Sequence, residues 1–150
     1  MQTDPEVRRF AGNRAWSPDE AALRFRSTFL GKPERTYGLW ATIFKPEARY
    51  IGFCGLVWTN GDAHLGYYLA RPYWARGLAN EAAEEFLRFA FSELRLARVL
   101  TDIESGHRRS ERIAEKLGFT RIGEKEVGDA GRVIGRYELM RPHPQALRIR

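Results

Sequence analysis

The residues best suited to chemistry lie between Arg71 and Asn80, where a predicted strand gives way to a helical pattern. This junction contains Arg76-Gly77-Leu78-Ala79, directly before the most strongly periodic segment of the chain. The first N–H groups of a helix have no acceptor within the helix, and the helix dipole adds a partial positive charge. The junction therefore predicts a place where the main chain binds a phosphate. A glycine that serves only a turn would explain the same residues.

Three other side chains could be reactive, but each has a simpler explanation. Cys54 lies in an apolar run with no neighbouring histidine or acid, so we expect a core residue and not a nucleophile. Asp102 and Glu104 lie at the end of a predicted strand, where carboxylates can face an amine. A solvated strand end is the favoured interpretation of these two acids.

Four segments carry helical patterns. Thr3-Asp4-Pro5-Glu6 and Ser17-Pro18-Asp19-Glu20 each combine an N-cap hydroxyl, an early proline and a capping-box glutamate. They predict helices over about 5–10 and from 18 toward Leu30, before Gly31 and Pro33. Apolar residues at intervals of three and four predict a long helix over 77–94, and a fourth is predicted over 110–117.

Strands are predicted wherever β-branched and aromatic residues cluster between turn residues. The predicted strands are Tyr37–Phe44, Tyr50–Trp58, His64–Ala70, Ala97–Ile103, and Thr120–Val127 with Val133–Met140 as a hairpin over the Gly128–Gly131 turn. The order ααβββαβαββ contains one strand-helix-strand unit, which predicts a mixed sheet packed by helices. A ligand is expected where the strand around Tyr67–Leu69 leads into the long helix.

Two stretches, 63–82 and 110–119, closely resemble the core of the GNAT superfamily of N-acetyltransferases. Gly77 and Ala79 match the last two fixed positions of the family's phosphate loop, Gln/Arg-x-x-Gly-x-Gly/Ala. Trp74 stands at the first position, which departs from the general motif but is similar to the RimJ/RimL branch that acetylates ribosomal-protein N-termini. The resemblance covers roughly Tyr37 to Met140.

The resemblance implies a GNAT fold of the α/β (α+β) class with a mixed, mostly antiparallel sheet. It implies direct transfer of an acetyl group from acetyl-CoA to an amine in a ternary complex, with no metal and no covalent enzyme intermediate. Loop amides would bind the pyrophosphate, and the preceding strand edge would bind the pantetheine arm. The expected acetyl-CoA-binding residues are Tyr67, Tyr68, Leu69, Trp74, Ala75, Arg76, Gly77, Leu78, Ala79, Asn80, His107 and Arg109.

The resemblance also implies two catalytic residues. Ser110 corresponds to the serine of the family's Asn-x-x-Ser motif, near the CoA sulfur, where a hydroxyl can protonate the leaving thiolate. A helix N-cap explains Ser110 equally well, and His107 replaces the asparagine of the motif. His64 occupies the position where the family commonly carries a proton-accepting Glu. A neutral imidazole can accept that proton, and a strand-end histidine without a role is the alternative.

Composition fits one globular domain, with 150 residues of which 43% are hydrophobic. The longest apolar stretch, Tyr50–Trp58, is far shorter than the roughly 20 residues of a membrane helix, and the single cysteine suits a reducing cytosol. We expect a cytoplasmic protein with its domain over 1–142 and a basic tail over 143–150. A net charge of +6 also fits a nucleic-acid-binding module, but the chain carries no recognition motif for one.

Several functional questions stay open at this stage. The acceptor is a protein N-terminus or a small-molecule amine, and specificity depends on variable loops. A domain that only senses acyl-CoA is the alternative, because His64 and His107 replace the usual Glu and Asn. The usual first strand of the family is predicted to be absent, which leaves the edge at Tyr37–Phe44 for a second subunit to cover in a homodimer.

Overall fold

The computed structural model describes residues 1–11, 14–27, 38–128 and 131–142. Within these ranges the order of elements is ααβββαβαββ, as predicted. The elements are α1 (Pro5–Arg8), α2 (Pro18–Phe25), β1 (Leu39–Phe44), β2 (Arg49–Thr59), β3 (Asp62–Leu69), α3 (Leu78–Ser92), β4 (Arg98–Glu104), α4 (Arg108–Lys116), β5 (Thr120–Val127) and β6 (Arg132–Met140). None of these helices is long and apolar enough to cross a membrane.

The strands form one sheet in the order β1-β2-β3-β4-β6-β5. β1 pairs with β2, β4 with β6 and β5 with β6 in antiparallel fashion, whereas β3 pairs with β4 in parallel, with His64 opposite Leu100. The predicted mixed and mostly antiparallel sheet is therefore confirmed. β1 lies at one edge of the sheet, and among the described residues the first strand follows both N-terminal helices.

Some predicted boundaries lie outside the described residues. These are the end of the second helix at Gly31 and Pro33, the strand start at Tyr37, the centre of the Gly128–Gly131 turn and the tail over 143–150. The capping box of α2 is confirmed, because Ser17 and Glu20 each accept a hydrogen bond from the other's backbone N–H. The predicted cap of α1 is wrong, since Asp4 and not Thr3 is the N-cap and accepts from the Glu6 N–H. Asp4 directly precedes α1, so its carboxylate can accept from the N–H of Glu6.

The chain divides into two compact units, Met1–Val57 with Leu65–Phe86, and Trp58–His64 with Leu87–Arg150. In the first unit, Ile51, Leu69 and Tyr73 form a buried cluster. The residues that pack against it are Phe44, Ala70, Trp74, Leu78 and Ala79. The predicted phosphate loop is thus held by the core on both of its sides.

Cys54 belongs to the core of the first unit, as predicted. Only 1% of its surface is exposed, and this burial raises the pKa of its thiol to about 12. A thiol with so high a pKa carries almost no thiolate at neutral pH. Cys54 therefore packs and does not react.

In the second unit, the alternation of β4 separates a core face from a charged face. Val99, Thr101 and Ile103 are buried, whereas Arg98 and Asp102 are exposed. Successive side chains of a strand point to opposite sides, so the charged residues of β4 share one face with the buried Leu100, whereas the polar Thr101 is buried on the other. The candidate catalytic histidine His64 lies on the strand that pairs with β4.

Candidate functional site

The predicted phosphate loop connects β3 to α3, and left-handed residues alternate in it with a residue of ordinary φ. A 3₁₀ turn over Arg71–Tyr73 is followed by Ala75 with φ of 57° and Gly77 with φ of 79°, while φ of the intervening Arg76 is not positive. Left-handed residues that alternate with ordinary ones turn successive N–H groups toward one concave side, which is an anion-binding arrangement. The start of α3 follows at once, with the Gly77 carbonyl accepting from the Glu81 N–H at 3.0 Å. The loop combines two features that attract phosphate.

Gly77 leaves its own backbone open to approach. A methyl group built on it would meet no atom within 4 Å, so no part of the described chain covers this point. The left-handed φ also favours glycine here over residues with a side chain. Both observations fit a position where a ligand phosphate reaches the main chain.

Two side-chain hydrogen bonds hold the loop in place. The indole Nε1 of Trp74 donates to the carbonyl oxygen of Leu69 at 2.7 Å, and the hydroxyl of Tyr73 donates to Oε2 of Glu47 at 2.7 Å. The Glu47 carboxylate holds the pKa of Tyr73 above its usual value. The N–H of Trp74 thus serves the loop, and a contact of Trp74 with acetyl-CoA stays a prediction.

The Arg76 side chain packs over aromatic rings. Its guanidinium carbon lies 4.7 Å from the ring centre of Phe44 and 5.5 Å from that of Tyr73. The two rings are 5.5 Å apart, so they form one platform beneath the cation. Cation–π contacts of this kind reduce the conformations of an exposed arginine and keep its charge beside the loop.

Asn80 lies in the first turn of α3 and is 8% exposed. Its Nδ2 donates to Oε1 of Glu84 at 2.6 Å, while its buried Oδ1 accepts no hydrogen bond from the part of the chain that the structure describes. A buried amide oxygen of this kind costs stability unless a partner satisfies it. Asn80 stays a predicted contact of acetyl-CoA.

The end of β3 contains the residues predicted to bind the pantetheine arm. The carbonyl of Tyr68 faces Gly52 so closely that a methyl group at Gly52 would lie 2.0 Å from its oxygen. The ring of Tyr68 also contacts that of Phe53, with centres 5.0 Å apart. The Leu69 carbonyl accepts from Trp74, and Tyr67 makes contacts of its own. The role of these residues in binding pantetheine stays a prediction.

The second unit contains the predicted base. His64 is partly buried on β3, and its Nδ1 lies 3.9 Å from Oδ2 of Asp102. Burial lowers the pKa of His64, and the attraction of Asp102 only partly offsets this. The imidazole is therefore neutral at pH 7, which is the form that accepts a proton.

The two strand-end carboxylates, Asp102 and Glu104, are both engaged by cations. Burial would raise the pKa of Asp102, but hydrogen bonds from Arg136 and Lys125 outweigh this and bring the pKa below its usual value. Glu104 accepts from Arg132, whose Nε lies 3.1 Å from Oε2 of the carboxylate. Interpreting them as merely solvated strand ends was incomplete, because each is part of a charged network.

The start of α4 corrects the prediction for Ser110. The N-cap is His107, whose Nδ1 accepts from the backbone N–H of Ser110 at 3.4 Å, so Ser110 is the third residue of the helix and not its cap. Burial lowers the pKa of His107, which keeps Nδ1 unprotonated for this bond. Arg109 follows in the first turn and is exposed. The Ser110 hydroxyl therefore does not serve as the N-cap of this helix.

The structure assembles the predicted residues into two groups. The loop residues and the end of β3 lie in the first unit, and His64, His107, Arg109 and Ser110 lie in the second. Sequence reasoning missed Phe44 and Glu47 as supports of the loop, and Lys125 and Arg136 as partners of Asp102. For Lys125 and Arg136, the available signal was the alternation of side chains between the two faces of the predicted hairpin.

Comparison with known proteins identifies the family of the chain. A family model described as an acetyltransferase (GNAT) domain matches residues 1–120. The uncharacterized protein YkkB of Bacillus subtilis (strain 168) is 34% identical over 92 residues, which are 57% of this chain and 54% of YkkB. The chain thus spans about half the length of this curated relative.

Solved structures of acetyltransferases share the fold. A GNAT-family acetyltransferase from Bacillus anthracis superposes with a TM-score of 0.82 at 19% identity, covering 94% of this chain and 85% of that one. Ribosomal-protein-S5-alanine acetyltransferase from Vibrio fischeri gives 0.75 at 16% identity, covering 94% and 83%. Spermidine N-acetyltransferase from Vibrio cholerae, solved with CoA and spermine, gives 0.76 at 11% identity, covering 94% and 86%. The matched family model and this shared fold place the chain in the GNAT acetyltransferase family.

Proposed function

We propose that this chain transfers an acetyl group from acetyl-CoA to a primary amine, directly and within a ternary complex. The observation that carries the proposal is the open, left-handed backbone at Gly77 before α3. Gly61 in the β2–β3 turn is equally open and left-handed, so the position of Gly77 directly before the free N–H groups of α3 is what favours a phosphate. When bound, acetyl-CoA supplies the activated acetyl thioester.

The first unit would hold acetyl-CoA by its phosphates. The amides of Arg76 to Asn80 are the donors, and the guanidinium above Phe44 and Tyr73 adds positive charge. Tyr67, Tyr68 and Leu69 would bind the pantetheine arm along the strand. These residues bind and orient, so changes to them alter acetyl-CoA affinity first.

The second unit would move the protons. His64 takes a proton from the acceptor amine as the amine nitrogen bonds to the acetyl carbon and the carbon–sulfur bond breaks. The hydroxyl of Ser110 would donate a proton to the departing thiolate, which leaves as CoA thiol. Ser110 would regain a proton through solvent as the His64 imidazolium releases the proton of the amine, so the net change is one proton moved from the amine to the thiol. His64 is suited to its role because its lowered pKa keeps it unprotonated at neutral pH.

The acceptor class we propose is the α-amine of a peptide or protein. Carboxylates on the charged face of the second unit are already paired, Asp62 with Arg98 at 2.9 Å and Asp102 with Lys125 at 3.0 Å. A polyamine needs several uncompensated acids, whereas a single amine does not. The similarity of Trp74 to the RimJ/RimL branch supports the same choice.

A competing function is that of an acyl-CoA sensor, which His64 and His107 favour because they replace the usual Glu and Asn. The test incubates the purified chain with acetyl-CoA and a panel of peptides with free N-termini, with spermidine as a second acceptor. We expect release of CoA thiol that depends on a peptide, together with a singly acetylated product in mass spectrometry. Acetyl-CoA binding without release of thiol for any amine would favour the sensor.

A further inference from the structure

We propose that Asp102 is the charged partner of His64 and stabilises the imidazolium that forms when His64 takes the proton of the acceptor amine. The inference rests on the proposed function, with His64 as the base. Nδ1 of His64 faces Oδ2 of Asp102 at 3.9 Å, which leaves Nε2 as the nitrogen for the amine. A positive charge that develops on the ring then lies beside the Asp102 carboxylate, whose effect on His64 the neighbouring Lys125 and Arg136 oppose.

Two cations hold Asp102 in its ionised form. Nζ of Lys125 donates to Oδ2 at 3.0 Å, and Nε of Arg136 donates to Oδ1 at 3.1 Å. A carboxylate paired in this way is a poor proton acceptor. The proton of the amine therefore goes to His64, and Asp102 acts through its charge as a positioning residue.

Four charged groups from four strands act on His64. Asp62 on β3 and Asp102 on β4 raise its pKa, whereas Lys125 on β5 and Arg136 on β6 lower it, and burial lowers it most. Asp62 is itself bound by Arg98, which also pairs with Glu138. Because the carboxylates raise the pKa of His64 and the cations lower it, removing any one of these charges should shift the pKa in a known direction.

The first experiment measures the titration of the His64 ring by NMR in the intact chain, with the signal assigned by its loss in His64→Gln. The midpoint should move to lower pH in Asp102→Asn and to higher pH in Lys125→Met. Glu124→Gln is the control, because it removes a carboxylate from β5 that pairs with Arg121 instead. An unchanged midpoint in Asp102→Asn, or in Lys125→Met where Asp102→Asn does not fold, would overturn the inference. Lys125→Met keeps the test valid if Asp102→Asn does not fold.

The second experiment measures kcat/KM of the same variants with a peptide acceptor. Asp102→Asn should lower the plateau about tenfold with unchanged acetyl-CoA affinity, and the His64→Gln/Asp102→Asn double variant should be as slow as His64→Gln alone. Effects that multiply in the double variant, or a slow His64→Gln beside a normal Asp102→Asn, would overturn the inference and leave the proposed base intact. A His64→Gln enzyme with the wild-type rate would overturn both.

Discussion

Trp74 is joined to Leu69 by a hydrogen bond of 2.7 Å from its indole N–H to the backbone carbonyl, which ties the predicted phosphate loop to the end of β3. The bond spans five residues and is partly buried, so it fixes where the loop leaves the sheet. A tryptophan at the first position of the loop motif thus has a structural explanation.

Replacing Trp74 by Phe keeps an aromatic ring in the core but removes this bond. A hydrogen bond of this kind contributes about 1 kcal/mol, so we expect acetyl-CoA affinity to fall roughly fivefold. Isothermal titration calorimetry measures the change. Trp40→Phe is the matched control, because Trp40 is 54% exposed on β1 and should leave the affinity unchanged. Equal affinities of all three proteins would count against the anchoring role.

Gly77→Asp tests the open backbone of the loop. The carboxylate should repel the pyrophosphate and raise the dissociation constant for acetyl-CoA about 100-fold or more. The side chain in Gly77→Asn has nearly the shape of that in Gly77→Asp but no charge, and asparagine tolerates a left-handed φ. Gly77→Asn should therefore reduce acetyl-CoA affinity by about tenfold or less. The strain control is Gly61→Asp, at φ of 86° in open space on the β2–β3 turn. Similar losses for Gly77→Asp and Gly61→Asp would mean that the loop is only a turn.

The sign of the pH dependence follows from the lowered pKa of His64. A base whose pKa is below the usual value near 6.5 is already neutral at pH 7, so activity should fall only as pH decreases from about 6.5. His64→Gln should lower kcat/KM about 100-fold at neutral pH and abolish this acidic limb. The ratio of wild-type to variant rates at each pH removes the contribution of the amine's own ionisation. A ratio that stays near one throughout would reject His64 as the base.

His107→Ala should lower the free energy of unfolding by about 1 kcal/mol through loss of the N-cap, whereas His107→Asn should retain it. The pKa of His107 is lower in the folded state than in the unfolded chain, which therefore binds more protons under mildly acidic conditions. Its contribution to stability is complete above about pH 6.5 and is lost as pH falls toward the folded pKa. Urea denaturation of both variants at pH 7.5 and about pH 5.5 measures this. An alanine variant as stable as the wild type would contradict the capping role.

The sequence predicted elements better than contacts. Capping motifs placed α1 and α2, helical periodicity placed α3, and clusters of β-branched and aromatic residues placed the strands in the order that the described residues show. The left-handed Ala75 gave no signal, since alanine rarely marks such a position. The partners of Asp102 lie 23 and 34 residues away, at Lys125 and Arg136, beyond any local pattern. An irregularity in the β5–β6 register between Arg121 and Gly123 also defeats simple alternation.

The most direct test of the whole account uses acetyl-CoA with an isotopically labelled acetyl group, a peptide with a free N-terminus and the same peptide with a blocked one. We expect the label to appear once, on the α-amine of the free peptide alone, in amounts equal to the CoA thiol released. Gly77→Asp should abolish the reaction, whereas Gly61→Asp should retain it. Thiol release equal for free and blocked peptides, or bound acetyl-CoA without any labelled peptide, would contradict direct transfer to an amine.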